Sequence, residues 1–229
     1  RDGYFPRSIP LRFTQADVER YDGRLSVTVP MVNDDINEFL DLRVYFDNDH
    51  PDPDAYSSTT RLAYDETYEP YLERRAVFMD NIAKGLSAEE GFLVRQEIDE
   101  FFEEQVIPGY NDLLKLADAL VVHMQNGRSY EISMVGFASP RAPDYYNMLL
   151  SARRNVCLRN FFERFQNGVL MPYIAQGRLS FTSERRGEEK DLGRIYELIE
   201  EERVSIFSVE ASLERRVEFP KIFNSNSRK

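Results

Sequence analysis

From Tyr110 to Gly127 the chain writes out one amphipathic helix, and YEISMVGF, residues 130 to 137, writes out a strand directly behind it. Leu113, Leu114, Ala117, Leu120, Val121 and Met124 fall on one face of the helix, and Gly127 is placed to end it. A helix with a single apolar stripe must lay that stripe on something, and the adjacent strand supplies a sheet. The chain is thereby committed to helices packed on strands.

The same alternation recurs on both sides. LRVYF (42 to 46) puts Leu42, Val44 and Phe46 on one face of a short strand, which stops in DNDHPDPD, where two prolines and four aspartates oppose regular structure. Tyr64, Tyr68, Tyr71, Leu72, Met79 and Ile82 recur at helical spacing, with Gly85 as the stop. Ser87 and Glu90 form a capping box ahead of a stripe of Val94, Ile98, Phe101 and Phe102, and Pro108-Gly109 is expected to break or kink that helix. Leu158, Phe161, Phe162 and Phe165 predict a helix running to about Gln166, with Gly168 just beyond. GRLSFTSE (177 to 184) alternates as a strand, a charged helix follows through Leu192, Ile195, Tyr196 and Ile199, and the last strand contains RRVEF (215 to 219), with Val217 and Phe219 facing inward. The expected fold is α+β: a two-layer sandwich in which a mixed β-sheet is covered by helices, in the order β-α-β-α-β-β with extra helices. Residues 1–40, with a strand-like LSVTVPMV at 25–32, read as the end of a preceding module or a docking arm. Residues 41–220 read as the main domain and 221–229 as a tail.

Charge narrows the partners. A formal net charge of −11 opposes nucleic acid, whose phosphates need a basic face, and opposes docking on anionic lipid. No apolar run is long enough to span a bilayer, so direct membrane insertion is not expected. The opening RDGYFPRSIPLRF reads as the interior of something longer, so a missing signal peptide bears nothing on export. Cys157 is the single cysteine and makes no internal disulfide.

The segment GFASPRAPDYYNMLLSARR, residues 136 to 154, carries the chemistry. Two helix starts are open in it: Asp144 capping a short turn after Pro143, and Ser151 capping the main helix. With Ser151 as the cap, Arg154 sits in the first turn, where the helix dipole is unfavourable to a cation and favourable to an anion. A guanidinium beside free backbone N–H groups makes a place for a carboxylate, gripped by two hydrogen bonds. The plainer alternative is that Arg153 and Arg154 pair with some of the chain's own 40 carboxylates.

VYFDNDH, the helix ending at Gly127, EISMVGFAS, YNMLLSARR and ERRVEF together resemble the C-terminal domain of outer-membrane protein A, which peptidoglycan-associated lipoproteins and flagellar stator proteins share. The match runs over about residues 42 to 219, with insertions near 50–105 and 187–212, and Gly136, Asn147, Leu150, Ser151 and Arg154 hold the family's spacing without a gap. The resemblance implies a non-enzymatic periplasmic domain associated with the outer membrane, binding the peptidoglycan stem peptide through a zwitterion clamp on diaminopimelate. It implies that Arg154 takes the carboxylate, with Ser139, Asn147 and the 138–144 loop, including Ala138 and Asp144, shaping the pocket. The family's aspartate for the ammonium is Ser139 here, and the threonine before it is Ala138, so Asp47, Asp49 or Asp144 is the substitute charge. The rival expectation keeps this fold as a protein–protein module among other envelope proteins, without peptidoglycan.

Other constellations are weaker. DNDHPDPD lacks the glycine turn of a calcium loop, and His50 and His123, the only histidines, are too few for a zinc site, so no metal and no cofactor is expected. Cys157 has no base nearby and no G-x-S-x-G, P-loop or dinucleotide motif occurs, so no catalytic residue is assigned. Tyr64, Tyr68 and Tyr71 read as packing surface rather than a sugar shelf, and the 188–203 helix as a solvated charged face rather than a partner site.

Overall fold

A computed structural model of the chain describes residues 18–21, 24–27, 36–139, 141–187 and 202–225. The chain divides into two units, Arg1–Asp34 and Asp35–Lys229. In the first, β1 (Val18–Tyr21) pairs antiparallel with β2 (Arg24–Val27), Val18 opposite Val27. The expected strand at 25–32 is represented by its first residues; 28–32 lie outside the described residues.

The second unit is α+β. Its strands are β3 (Arg43–Tyr45), β4 (Tyr130–Phe137), β5 (Leu179–Gly187) and β6 (Arg216–Asn224), in the sheet order β3-β6-β4-β5. β6 runs antiparallel to both its neighbours, while β4 and β5 are parallel. A parallel pair needs a crossover, and the helix between β4 and β5 provides it. Val44, Ile132, Met134, Leu179, Val217 and Phe219 are wholly enclosed, whereas Arg43, Glu131 and Glu218 alternate out of the core. β6 continues to Asn224, opposite Tyr130, so residues 221–224, expected in the tail, belong to the sheet, where Ile222 still has core to enter.

Before β4 come α1 (Asp65–Glu73), α2 (Arg75–Ile82), α3 (Ala88–Phe101) and α4 (Ile107–Gln125). The single helix expected over 64–82 is two, parted at Arg74. The capping box is present: the Glu90 N–H donates to Ser87 Oγ at 3.3 Å, and the Ser87 N–H donates to Glu90 Oε2 at 3.1 Å. Pro108-Gly109 does not break the helix. A π-turn over Phe102–Val106 takes up the irregularity, joining α3 to α4 just before Pro108 with helical backbone throughout. α4 ends in a Schellman motif, with Arg128 N–H on His123 O and Gly127 N–H on Met124 O, and Gly127 at φ +81°.

Between β4 and β5 run α5 (Asp144–Gly168) and α6 (Met171–Ala175); between β5 and β6 lie α7 (Glu202–Phe207) and α8 (Val209–Leu213). Regular helical geometry in α5 ends before Phe165, with Gln166 and Asn167 left-handed. The expected stripe at Leu192, Ile195, Tyr196 and Ile199 lies outside the described residues. Phe162 stacks on Phe181 at 5.1 Å and meets Phe219 edge-on at 6.4 Å, tying α5 to two strands. Tyr64, Tyr68 and Tyr71 are buried, Tyr68 stacking on Tyr110 at 4.0 Å, so they are core and form no shelf.

Cys157 is fully enclosed on α5 with Thr67 Oγ1 4.0 Å from its sulfur, and burial pushes its thiol up to about 12. A thiol so placed is protonated and inaccessible at neutral pH. A thiol reagent is expected to label no cysteine in the native chain and one in denaturant; rapid native labelling contradicts the placement of α5.

Candidate functional site

The expected cap at Ser151 is not one. α5 begins at Asp144, behind Pro143, and Ser151 lies inside it, donating from Oγ to Met148 O at 3.1 Å. Arg153 and Arg154 are therefore in the third turn, beyond the reach of the dipole at the helix start. Their position answers to something else.

That something is the loop after β3. Asp49, Asp52 and Asp54 adopt left-handed backbone conformations, which aspartate tolerates better than most residues, and the loop turns its carbonyl oxygens inward. Arg154 donates from Nε to His50 O (3.0 Å), from Nη1 to Phe137 O (2.6 Å) and from Nη2 to Asp47 O (3.4 Å). Arg153 donates from Nε to Pro51 O (3.1 Å), from Nη1 to Ser57 O (2.8 Å) and to Ala55 O, and from Nη2 to the Tyr146 hydroxyl (3.3 Å). Both side chains are 0 % exposed. Burial, with Arg215 close by, pushes the Arg154 guanidinium down to about 9, which leaves it a cation at neutral pH. Arg154 also lies over the Phe46 ring and Arg153 over the Tyr146 ring, each 5.3 Å from the centroid. Two adjacent arginines thus hold one loop by its main chain.

β4 brings the other wall. Gly136 packs so closely on α5 that an ideal Cβ would stand 2.4 Å from Ser151 O and 3.0 Å from Asn155 Oδ1. This contact sets where the 138–144 connection leaves the sheet. Asn147 braces that connection, donating from Nδ2 to Ala142 O at 2.8 Å. Between connection and loop opens a cleft of about 280 Å³. Ser139 and Asn147 line it, with Asp49, Asp54, Tyr56, Arg141 and Tyr146. Tyr146 donates to Asp49 Oδ1 at 2.5 Å, and its ring meets that of Tyr56 at 5.3 Å.

The expected site residues are thus divided. Ser139 and Asn147 face the cleft. Ala138 is buried beneath it against Tyr146 and Leu150. Asp144 is exposed at the start of α5 and does not line the cleft. Asp47 is buried and spent: one oxygen accepts from the Asn48 N–H at 2.6 Å and the other pairs with Arg74. Arg154 stands behind the wall rather than in it, and its partners are the chain's carbonyl oxygens; Arg153 also meets a carboxylate, Asp49 Oδ1 at 3.9 Å, as the plainer alternative has it. Sequence reasoning passed over Asp54, Tyr56 and Tyr146 as lining, and took in Arg141 only as part of the 138–144 loop. Their common signal is position alone, since they belong to the two segments that flank β3 and α5 at one end of the sheet.

His50 is half-buried in the loop, and burial lowers its pKa below the usual value. His123 is buried on α4 with Nδ1 2.7 Å from the Tyr130 hydroxyl, a packing role. No protein-family model matches the sequence, and no curated protein matches it.

Proposed function

We propose that this chain is a non-enzymatic cell-envelope domain of the outer-membrane protein A C-terminal type, lying in the periplasm and holding its parent outer-membrane protein to the wall by binding the peptidoglycan stem peptide. The observation that carries this reading is the cleft itself. It opens between the connection after β4 and the loop after β3, and two of the residues that the resemblance picks out, Ser139 and Asn147, are in its lining. A mixed sheet with helices is the scaffold such a domain requires. In this reading Arg154 and Arg153 build the site, fixing the loop that forms one wall, and the ligand meets the residues in front of them.

Ser139 occupies the place of the family's aspartate and faces the cleft. Ser139→Asp therefore adds a carboxylate where an ammonium is expected, and a charged hydrogen bond is worth about 1.5–3 kcal/mol, roughly tenfold or more in affinity. Washed peptidoglycan is expected to retain the chain, and to retain Ser139→Asp at about tenfold lower protein concentration. A chain that stays wholly in the supernatant contradicts the reading.

One observation favours a second reading, a protein–protein module without a wall ligand: the guanidinium expected to grip the ligand is closed off. The same unit offers another recess, of about 440 Å³, between α3 and α8, lined by Glu97, Glu100, Glu104 and Glu210 beside Phe101 and Leu213. Under that reading a photo-crosslinker at Glu210 traps an envelope protein in cells, and peptidoglycan retains nothing.

A further inference from the structure

The recess between α3 and α8 does not stand alone. A second one, of about 250 Å³, adjoins it and shares Glu97, Val209 and Glu210 with it. Ile82, Leu86, Val94, Ile98 and Val204 make the second recess apolar. The two form one groove, with α3 as one wall and the α7–α8 pair as the other. Along α3 it follows Val94, Glu97, Ile98 and Phe101, an i, i+3, i+4, i+7 row on one helix face, and Glu104 continues the row. From Val94 to Glu104 the backbone rises about 15 Å, the length of about three turns of a partner helix.

The groove has an apolar floor and an acidic lip. Ile98 and Phe101 are buried, while Glu97, Glu100, Glu104 and Glu210 are exposed. Among the described residues none of these four is ion-paired; Glu100 accepts only from the neutral Gln96 amide, at 2.7 Å. Arg43 is the one cation among the described lining residues, and its Nε already lies 3.1 Å from Glu218 Oε1. Leu93, one turn before Glu97, adds an apolar side chain that is 53 % exposed.

This make-up sets two requirements on an occupant. Carboxylates with no cation between them favour a positive segment, and an apolar floor needs an apolar face to displace its water. An amphipathic helix with lysines and arginines beside its apolar stripe meets both. The chain's own residues 188–201 do not, since they carry six acids against two bases, and a second copy would bring a net charge of −11 to a face already negative. We propose that the groove between α3 and the α7–α8 pair docks a basic amphipathic helix of another protein. The inference stands whether or not the cleft takes a wall peptide, because no residue lines both.

The test is a calorimetric titration of the full 229-residue chain with a leucine–lysine helix of about four turns, its leucines on one face, and with a scrambled peptide of the same composition. The ordered helix is expected to bind about tenfold more tightly than the scrambled one. Glu97→Lys combined with Glu210→Lys reverses one acid on each wall and is expected to weaken binding about tenfold or more. Glu69→Lys combined with Glu73→Lys makes the same change of net charge at exposed acids of α1 outside the groove, and is expected to stay within about threefold. Circular dichroism checks the fold of both variants. Amide shifts of the labelled, unaltered chain locate the contact without any substitution, and are expected at Val94, Ile98, Val209 and Leu213. The wall tripeptide L-alanyl-γ-D-glutamyl-meso-diaminopimelate is expected to leave the bound helix in place. Equal weakening by the two double variants overturns the proposal, since net charge alone then holds the peptide. So do shifts that miss the groove, displacement by the tripeptide, or an unaltered chain that binds neither helix nor scrambled peptide. A chain that sediments as a dimer, and as a monomer with Glu97→Lys and Glu210→Lys, gives the groove to a second copy and overturns it equally.

Discussion

Arg154→Ala is expected to cost about 4 kcal/mol of folding stability. The reason is what it leaves behind. His50 O and Phe137 O lose the arginine as donor, and Asp47 O keeps only the His50 N–H at 3.2 Å, in a region where the arginine is 0 % exposed; each buried acceptor left without a partner costs about 1–3 kcal/mol, less whatever water recovers. For a unit of this size that is a fall in Tm of roughly 8–16 °C. Arg154→Lys is expected to recover less than half, because an ammonium is a point donor and does not reproduce a fork on three carbonyls. Arg159→Ala is the control: Arg159 is exposed and paired with Glu163 at 2.8 Å one turn away, so its loss moves stability by no more than about 0.5 kcal/mol. Urea denaturation of the three variants measures all of this. Limited proteolysis adds the location, with new cleavage of Arg154→Ala expected between residues 47 and 57. An Arg154→Ala protein as stable as Arg159→Ala contradicts the loop-holding role.

Gly136→Ala is the second large effect. Its methyl group would need space that Ser151 O already occupies at 2.4 Å, and the obstacle is helix backbone rather than a side-chain tip. β4 and α5 must separate, and overpacking of this kind costs about 1–3 kcal/mol, here at the upper end because backbone has to move. The same displacement shifts the 138–144 connection, so wall retention is expected to fall further than stability alone explains. Gly127→Ala makes the comparison. Nothing lies within 4 Å of its ideal Cβ, and its cost comes only from φ +81°, about 1 kcal/mol. A Tm for Gly127→Ala at or below that of Gly136→Ala contradicts the close approach.

Where local chemistry decides, the sequence was legible. The capping box at Ser87 and Glu90, the stop at Gly127 and the strand at Tyr130–Phe137 all stand where periodicity and cap residues put them. Where two local signals compete, it was not. Ser151 has the chemistry of an N-cap, but Pro143 fixes an extended backbone one residue before Asp144, and the helix begins there and runs on through Ser151. Pro108-Gly109 has the chemistry of a break, yet a π-turn absorbs it, and Gly109 is needed because a Cβ there would stand 2.3 Å from Arg43 O.

The candidate site was the least legible part, for a physical reason. The bonds that build it join residues about a hundred positions apart, Arg153 and Arg154 reaching back to the carbonyls of Asp47, His50, Pro51, Ala55 and Ser57. Main-chain oxygens have no sequence signature, so an arginine that binds them looks from the sequence like an arginine in want of an anion. Ser139 and Asn147 were found because they lie on the connection that the resemblance picks out. Asp54 and Tyr56 reach the same cleft only once the loop has been drawn over α5.

The most direct test of the central claim is a nuclear magnetic resonance titration of the isotope-labelled chain with the diaminopimelate tripeptide. Amide shifts are expected to concentrate at Asp54, Tyr56, Ser139, Arg141 and Asn147, with the residues facing the recess between α3 and α8 unmoved. Shifts confined to that second recess, or none at saturating peptide, would contradict the account.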